Sequence, residues 1–204
     1  MTKGGMDTRN KIIEAAMDLA LRQGHVATSV DEVISHAGIT KGTFFYHFPT
    51  KKDLAVALIE SFSSNEIRIL DENMAKANKL SKDPLQQLLI FISLIQELHV
   101  GLKEGQIGCL FASYSYENQL VDENLMGIAA DTLNRWKDRL SLKIKEIMTI
   151  YPPTFSINPD ELADMFLTTL EGAYVLSRVM HRPEIIQSNL EQYKTYLESL
   201  FKPR

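Results

Sequence analysis

The fold of this chain is decided by residues 28–48, which read TSVDEVISHAGITKGTFFYHF. Thr28 and Ser29 come directly before a short run with apolar residues at helical spacing, and both are residue types that cap helix N-termini. Gly38 stops this run, because glycine adopts the positive φ of a tight turn at little cost. Thr40 is then a good N-cap for a further short helix that holds three phenylalanines. Two short helices joined by a glycine turn predict a helix-turn-helix.

The second helix of such a motif enters the major groove of DNA, with its N-terminal residues nearest the base edges. Lys41 and Thr43 occupy that end here, and Gly42 between them permits close approach of the backbone. Further along, the polar side chains of Tyr46, His47 and Lys51 can reach phosphates on either side.

The pattern on both sides of this segment also predicts helices. Apolar residues recur every three or four positions, and caps, glycines and prolines mark the ends. We predict a first helix that begins near Asp7 or Thr8 and ends at Gly24, and six helices after Pro49, over about residues 50–78, 84–103, 109–118, 122–149, 158–181 and 183–201. The expected fold class is all-α, with about nine helices. We expect residues 1–50 to form a helix-turn-helix DNA-binding domain and residues 51–204 to form a second, helical domain.

Composition excludes several classes of protein. The chain has 204 residues, of which 45% are hydrophobic and 24% charged, as in globular proteins of one or two domains. Its single cysteine, Cys109, cannot close an internal disulfide. The longest apolar stretch is far shorter than the ~20 residues of a membrane span, and no secretory signal is visible. We expect a cytoplasmic protein with no membrane partner.

The distribution of charge agrees with a local nucleic-acid footprint. The formal net charge is −4, but residues 1–52 hold seven Lys and Arg against five Asp and Glu. Between Val33 and Lys52 there is no acidic residue at all. A small basic head on an acidic body is compatible with DNA binding, and ordinary variation of surface charge is the alternative.

The N-terminal quarter of the chain resembles the TetR family of bacterial transcriptional regulators. The residues that carry the resemblance are Thr28-Ser29-Val30, Ile34, Ala37-Gly38-Ile39, Lys41-Gly42-Thr43-Phe44, His47-Phe48-Pro49, Lys51 and Asp53-Leu54. Together with the helix-turn-helix argument, the resemblance predicts ten DNA-binding residues: Thr28, Ser29, Thr40, Lys41, Gly42, Thr43, Phe44, Tyr46, His47 and Lys51. The family usually has a tyrosine at the position of Phe45, so Phe45 is left out of this set.

The resemblance further implies a ligand-responsive homodimer, in which residues 51–204 are the effector-binding and dimerisation domain. Each head would bind one half of a pseudo-palindromic operator, and repression is the family's commoner mode. The family's dimer face is a four-helix bundle formed by the last two helices of each chain. Here it would include Phe166, Thr169, Leu170, Ala173, Ser177, Tyr193 and Leu197, with ordinary core packing as the alternative for any of them.

An effector pocket is expected between the bundled helices, because such pockets are mostly apolar with a few orienting polar groups. Its predicted lining is Phe62, Phe91, Leu94, Leu98, Cys109, Ser113, Tyr116, Trp136 and Tyr174, which favours a small apolar or aromatic effector. Aromatic residues at helical spacing more often belong to a core. Cys109 stands at a predicted helix start, where a thiol is expected to have a lowered pKa and to react with oxidants or electrophiles. A buried, inert cysteine is the alternative.

Three other functions compete with a ligand-released repressor. An enzyme is disfavoured, because we find no metalloprotease, phosphate-loop, Rossmann or CysXaaXaaCys motif. The five histidines are scattered with no pair at four-residue spacing, so we predict no metal site, no cofactor and no catalytic residue. A helical protein-interaction module would explain the negative net charge, but it leaves Lys41, Thr43 and Tyr46 without a purpose. An activator, or a regulator without a ligand, would keep the same fold.

Overall fold

The structure, a computed structural model, describes residues 3–101, 108–116 and 123–202. In these residues the chain folds into helices with no strand, which confirms the all-α fold. The helices that they contain are α1 Lys3–Gln23, α2 Val30–Ala37, α3 Lys41–His47, α4 Lys51–Leu80, α5 Pro84–Leu98, α6 Leu110–Tyr116, α7 Glu123–Ile150, α8 Pro159–Met180 and α9 Glu184–Leu200. None of the described helices is long and apolar enough to cross a membrane.

Most helix ends lie where caps and prolines predicted them. Asp83 caps α5 by accepting a hydrogen bond from the Gln86 N–H at 2.8 Å, and Pro159 occupies the first position of α8. Two ends differ: α1 begins at Lys3, before the predicted cap, and α5 stops at Leu98. The predicted helix ends near residues 103 and 118 and the predicted start at 122 lie outside the described residues.

The chain divides into two compact units. The first contains the described residues of Met1–Asn65 and Gly108–Ala130, so that α6 belongs with the three N-terminal helices and the first half of α4. Its buried apolar side chains include Ile12 on α1, Val33 on α2 and Phe44 on α3. The rings of Phe44 and Phe48 pack with their centroids 6.1 Å apart.

The second unit contains the described residues of Glu66–Ile107 and Asp131–Arg204. One continuous apolar core joins the second half of α4 to α5, α7, α8 and α9. At its centre the Trp136 and Phe166 rings are stacked, with 11° between their planes and 6.4 Å between centroids. The boundary predicted at residue 50 divides the chain by expected function, whereas the two compact units divide it by packing. The boundary therefore stays a prediction.

Candidate DNA interface and effector site

Polar caps define both helices of the helix-turn-helix. Ser29 and Glu32 form a reciprocal capping box at the start of α2: the Ser29 Oγ accepts from the Glu32 N–H, and the Ser29 N–H donates to the Glu32 carboxylate at 2.8 Å. Gly38 ends α2 with φ +60°, the left-handed conformation that the sequence predicts. Thr40 caps α3, where its Oγ1 accepts from the Thr43 N–H at 3.2 Å.

The burial of its side chains shows which side of α3 faces outward. Phe44 is completely buried, and it anchors α3 to the first unit's core. Lys41, Gly42 and Tyr46 are exposed, and Tyr46 retains 77% of its surface. The first turn of α3 and the Tyr46 ring are therefore available to an outside partner.

The electrostatics of this surface leave its lysine accessible. The Lys41 Nζ lies 3.6 Å from the Asp31 Oδ1, and both side chains are largely exposed. Exposed pairs of this kind contribute little, so a phosphate can replace the aspartate. The hydrogen bonds from the Ser29 N–H and hydroxyl lower the pKa of Glu32, which is therefore charged at neutral pH and confined to its cap.

Gly42 has no internal reason to be glycine. A methyl group built at this position would meet only the Thr40 Oγ1, at 3.9 Å, which is ordinary van der Waals contact. Its φ also lies outside the left-handed region that favours glycine. Nothing in the described part of the chain therefore requires glycine here, and the missing side chain leaves room for an outside partner.

Other predicted DNA-binding residues are buried or half-buried in the first unit. Thr28 is buried and donates its hydroxyl hydrogen to the Gly24 carbonyl at 2.8 Å. Because the Thr28 and Phe44 side chains have almost no exposed surface, they stabilise the packing of the first unit and cannot themselves contact DNA. His47 is half-buried, and its Nδ1 is enclosed without a hydrogen-bond partner. Lys51 is also half-buried: its Nζ donates to the His25 carbonyl at 3.1 Å, so it anchors the α1–α2 connection.

The predicted effector-lining residues are divided between the two units. Phe62, Cys109, Ser113 and Tyr116 belong to the first unit, where the Phe62 ring packs edge-on against Phe111 at 4.9 Å. Cys109 and Ser113 are half-buried, whereas Tyr116 is largely exposed. The prediction placed Cys109, Ser113 and Tyr116 in the pocket by their helical spacing and added Phe62 as an aromatic residue.

In the second unit, several predicted lining residues are core. Phe91 and Trp136 pack on each other at 5.9 Å and are almost completely buried, so no surface remains for an effector. Leu94 is buried as well, and Leu98 is exposed. Tyr174 is half-buried, and its hydroxyl is hydrogen-bonded to the His99 Nε2 at 2.7 Å. Burial lowers the pKa of His99, so its ring is neutral.

The predicted dimer residues also need correction. Phe166 and Leu197 are fully buried within one chain, and four more are nearly so: Leu170, Ala173, Ser177 and Tyr193. The Tyr193 hydroxyl donates to the Leu162 carbonyl at 2.8 Å. These side chains join α8 to α9 in the core and have almost no surface to offer a second copy. Thr169 alone of the set is partly exposed.

A different face of α8 is apolar and exposed. We call it the outer stripe, and it consists of Met165, Gly172, Val175, Leu176 and Val179. A signal in the sequence could have found it, because α8 has apolar residues on two adjacent faces and one core can cover only one of them. Met165 also lines an open groove of about 480 Å³, together with Ile157, Leu162 and Tyr196.

Two carboxyl groups of the second unit influence each other. Glu66 on α4 is partly buried, and its burial together with the negative charge of Glu171 on α8 raises its pKa to about 7. Neither residue was predicted to be functional. The sequence offers no signal for the pair, because its members are 105 positions apart.

Comparison with known proteins agrees with the helix-turn-helix geometry. Residues 12–58 match the family described as bacterial regulatory proteins, tetR family. The chain is 35% identical over 203 residues to the uncharacterized HTH-type transcriptional regulator YvkB of Bacillus subtilis, covering 95% of each chain. It is 26% identical to the transcriptional regulator AcuR of Cereibacter sphaeroides, covering 87% of this chain and 79% of AcuR. The crystal structure of regulatory protein TetR from Rhodobacter sphaeroides superposes with a TM-score of 0.79 at 24% identity, covering 92% of this chain and 97% of that one.

Proposed function

The chain belongs to the TetR family of bacterial regulatory proteins, and on this premise we propose that it is a repressor that binds a pseudo-palindromic operator as a homodimer and is released by a small effector. As a member of the family it is a DNA-binding transcriptional regulator and not an enzyme. Repression, the dimer, the effector and action in the cytoplasm are parts of the proposal.

The observation that carries the operator proposal is the outward first turn of α3. Thr40, Lys41 and Gly42 are exposed there, and Thr43 is partly exposed. A helix-turn-helix presents this turn to the base edges of the major groove. Lys41 supplies a positive charge, Thr43 a hydroxyl and a methyl group, and Gly42 an uncovered backbone.

The remaining contacts of the proposal surround this turn. Ser29, at the exposed start of α2, and Tyr46, at the end of α3, flank the turn along the chain, where phosphate contacts would position the head. His47 and Lys51 complete the set, and the partly exposed Lys51 has a second role in holding the α1–α2 connection. Thr28 and Phe44 contribute by packing alone.

Selection of genomic fragments with the purified protein, sequenced after binding at two salt concentrations, tests the proposal. We expect enrichment of a short inverted repeat, and an affinity that falls steeply with salt. Failure to enrich any sequence at low salt, by protein refolded free of carried-over ligand, would contradict operator binding. Binding of a site with no internal symmetry would contradict the dimer.

Gly42→Ala separates DNA contact from folding. Alanine is the better helix former by roughly 0.5–1 kcal/mol, so the variant should be at least as stable as wild type. We expect its operator affinity nevertheless to fall, because the new methyl group obstructs close approach. Gly127→Ala on α7 is the matched control, since a methyl group there meets nothing within 4 Å. Equal operator affinity in wild type and both variants would contradict the placement of α3.

Lys41→Ala and Thr43→Ala distinguish the two kinds of contact. If Lys41 contacts a phosphate, its variant weakens all sequences alike and lowers the salt slope by about one unit. If Thr43 contacts a base, its variant changes the preferred base in each half-site, at a cost of about 1–3 kcal/mol for the original site. The same selection and a salt titration measure both.

The outer stripe of α8 supports the dimer proposal. An exposed apolar surface of this kind on a single chain indicates an interface. On α9 the exposed residues include the small polar Ser188, Thr195 and Ser199, which allow another helix to approach closely. The family's four-helix bundle would cover both surfaces, and we place the contact there instead of on the buried residues first predicted.

The effector proposal rests on Phe62 and Ser113 of the first unit, which are both partly exposed and agree with a small apolar or aromatic molecule held by a few polar groups. An electrophile is the second candidate, because Cys109, which forms no disulfide, directly precedes α6 and is half-buried rather than enclosed. Alkylation of the native protein tests it. A thiol that reacts only after unfolding would exclude an electrophilic effector.

A further inference from the structure

The connection between α1 and α2, residues 24–29, is held by two later elements of the first unit. From α6, the Tyr114 hydroxyl is hydrogen-bonded to the His25 Nδ1 at 2.7 Å, and the two rings stack with centroids 4.6 Å apart. From the start of α4, the Lys51 Nζ donates to the carbonyl oxygens of His25 and Val26, at 3.1 and 3.4 Å. The side chain and the backbone of His25 are therefore held by different helices.

The His25–Tyr114 contact is buried and uncharged. Both side chains are about 3% exposed. Burial of the imidazole, together with the positive charge of Lys51, lowers the pKa of His25 to about 4. The Nδ1 of this neutral, enclosed ring is hydrogen-bonded to the Tyr114 hydroxyl, and no water can replace that bond without opening the packing.

The two ends of this contact lead to different proposed sites. On one side, three residues separate His25 from the Ser29 cap, whose exposed side chain precedes α2 beside the proposed DNA contacts. On the other side, Tyr114 follows Ser113 directly on α6, and Cys109 directly precedes that helix. Both Ser113 and Cys109 belong to the proposed effector lining.

We propose that Tyr114 and His25 are positioning residues through which α6 sets the α1–α2 connection, and with it Ser29 and the start of α2, for operator binding. The inference rests on the proposed function, because it deepens the regulation of the same site. A displacement of α6 either carries the connection with it or breaks this buried hydrogen bond, which costs free energy. In either case, the position of α6 affects the affinity of the first unit for DNA.

Reciprocity makes the coupling measurable without a known effector. If α6 biases operator binding, operator binding must bias α6 by the same factor. Cys109 is the only cysteine in the sequence, and it reports on the start of α6. The experiment measures the rate at which the full-length protein reacts with 5,5′-dithiobis(2-nitrobenzoic acid), with and without a saturating operator fragment.

We expect the operator to change the rate of Cys109 modification at least about fivefold in wild type, the lower end of ordinary coupling. Tyr114→Phe keeps the ring and removes the hydroxyl, and it should reduce this change to less than about twofold while DNA is still bound. Ser115→Ala is the control, because it also removes a hydroxyl from α6, at an exposed side chain that donates to the Ala112 carbonyl of the same helix. It should retain the wild-type response.

The outcomes are distinguishable. Failure of the wild-type protein to bind any DNA overturns the proposed function and this inference together. Operator binding without a rate change, or with the same change in Tyr114→Phe, overturns the inference alone. A lower thermal stability of Tyr114→Phe with an undiminished response would leave the contact a purely structural role and would also overturn it.

If Tyr114→Phe does not fold, a second variant and a second measurement still test the inference. His25→Gln removes the imidazole from the other side of the contact and should lose the same response. Amide hydrogen exchange of residues 110–116 in wild type requires no variant. We expect operator binding to change the exchange rates there at least about fivefold, and unchanged rates would overturn the inference.

Discussion

Two residues of the second unit, Glu66 and Ser177, lie in surroundings that are unfavourable for their polar groups and that exist only in the folded chain. At Glu66, burial and the charge of Glu171 raise the carboxyl pKa from its ordinary value near 4.5 to about 7. Between these two pH values the folded chain binds more protons than the unfolded one. The free energy of unfolding therefore falls as pH rises through this window.

Glu66→Gln should remove this loss. We expect the variant to be more stable than wild type at pH 8 by about 1–3 kcal/mol, with the difference shrinking towards pH 4.5. Urea unfolding at a series of pH values measures it. Glu60→Gln on the same helix, where the side chain is exposed, should change stability little at any of them. A pH dependence for Glu66→Gln that parallels wild type would contradict the raised pKa.

Ser177 is a second residue in an unfavourable setting. Its Oγ is buried on α8 without a hydrogen-bond partner, inside the contact between α8 and α9. Burial of an unpaired hydroxyl costs about 1–3 kcal/mol. The residue nonetheless serves the fold through its backbone, because the Ser177 carbonyl accepts from the Arg182 N–H at 2.9 Å after the end of α8.

Ser177→Ala should therefore leave the protein as stable as wild type or raise the free energy of unfolding by up to about 1 kcal/mol. Thermal unfolding monitored by circular dichroism checks this. Ser188→Ala on α9 is the control, because that hydroxyl is exposed and already donates to the Ile185 carbonyl at 3.0 Å. A loss of more than about 1 kcal/mol in Ser177→Ala would show that the hydroxyl has a partner, such as a buried water.

Among the elements, α3 depends most on its cap. It has only seven residues, too few to be stable alone. Its start relies on Thr40, whose Oγ1 accepts the Thr43 N–H and is hydrogen-bonded to the Thr43 hydroxyl at 2.8 Å. The buried Phe44 then holds the helix to the unit. The cap and the anchor together orient the proposed base-contacting turn.

Thr40→Ala should lower the free energy of unfolding by about 1 kcal/mol and weaken operator binding, because the first turn of α3 loses its cap. Thr40→Ser retains the capping hydroxyl and should stay close to wild type in both respects. Chemical denaturation and operator titration measure the two effects. Equal behaviour of the alanine and serine variants would mean that the hydroxyl does not order α3.

At the scale of the whole molecule, the central expectation is assembly into a dimer. Within one chain α8 covers its buried face with α9 and leaves the outer stripe exposed, so that Val179 retains 71% of its surface. A helix that is apolar on two adjacent faces requires two partners. The second partner proposed here is the same helix pair of another copy.

Val175→Glu should convert the dimer to a monomer, because a carboxylate would be buried in the apolar interface. We expect the dimer dissociation constant to rise at least tenfold, equivalent to about 1.4 kcal/mol, and operator affinity to fall with it. Sedimentation equilibrium measures the first and DNA titration the second. Leu142→Glu on α7 is the matched control, since Leu142 is similarly exposed and lies off the stripe. Dissociation by both variants, or by neither, would contradict the proposed face.

The sequence alone determined the class of the fold and the position of the DNA-binding motif. These depend on local interactions: helical periodicity, the glycine turn at Gly38 and the Ser29 and Thr40 caps act within four residues. The outward first turn of α3 could be predicted for the same reason, because the Thr40 cap leaves it open and Phe44 and Phe48 beyond it are buried. Helix ends without a strong stop signal, such as that of α5, were less predictable.

Only the tertiary structure decided which apolar face of each helix is core. Phe166 and Leu197 read equally well as core or interface, because a helical stripe does not reveal which neighbour covers it. Phe91 and Trp136 were predicted to line a pocket for the same reason, but in the structure they pack against each other in the core. The contacts between Tyr114 and His25, and between Glu171 and Glu66, join residues 89 and 105 positions apart. Only folding brings such groups together, so no local pattern in the chain records them.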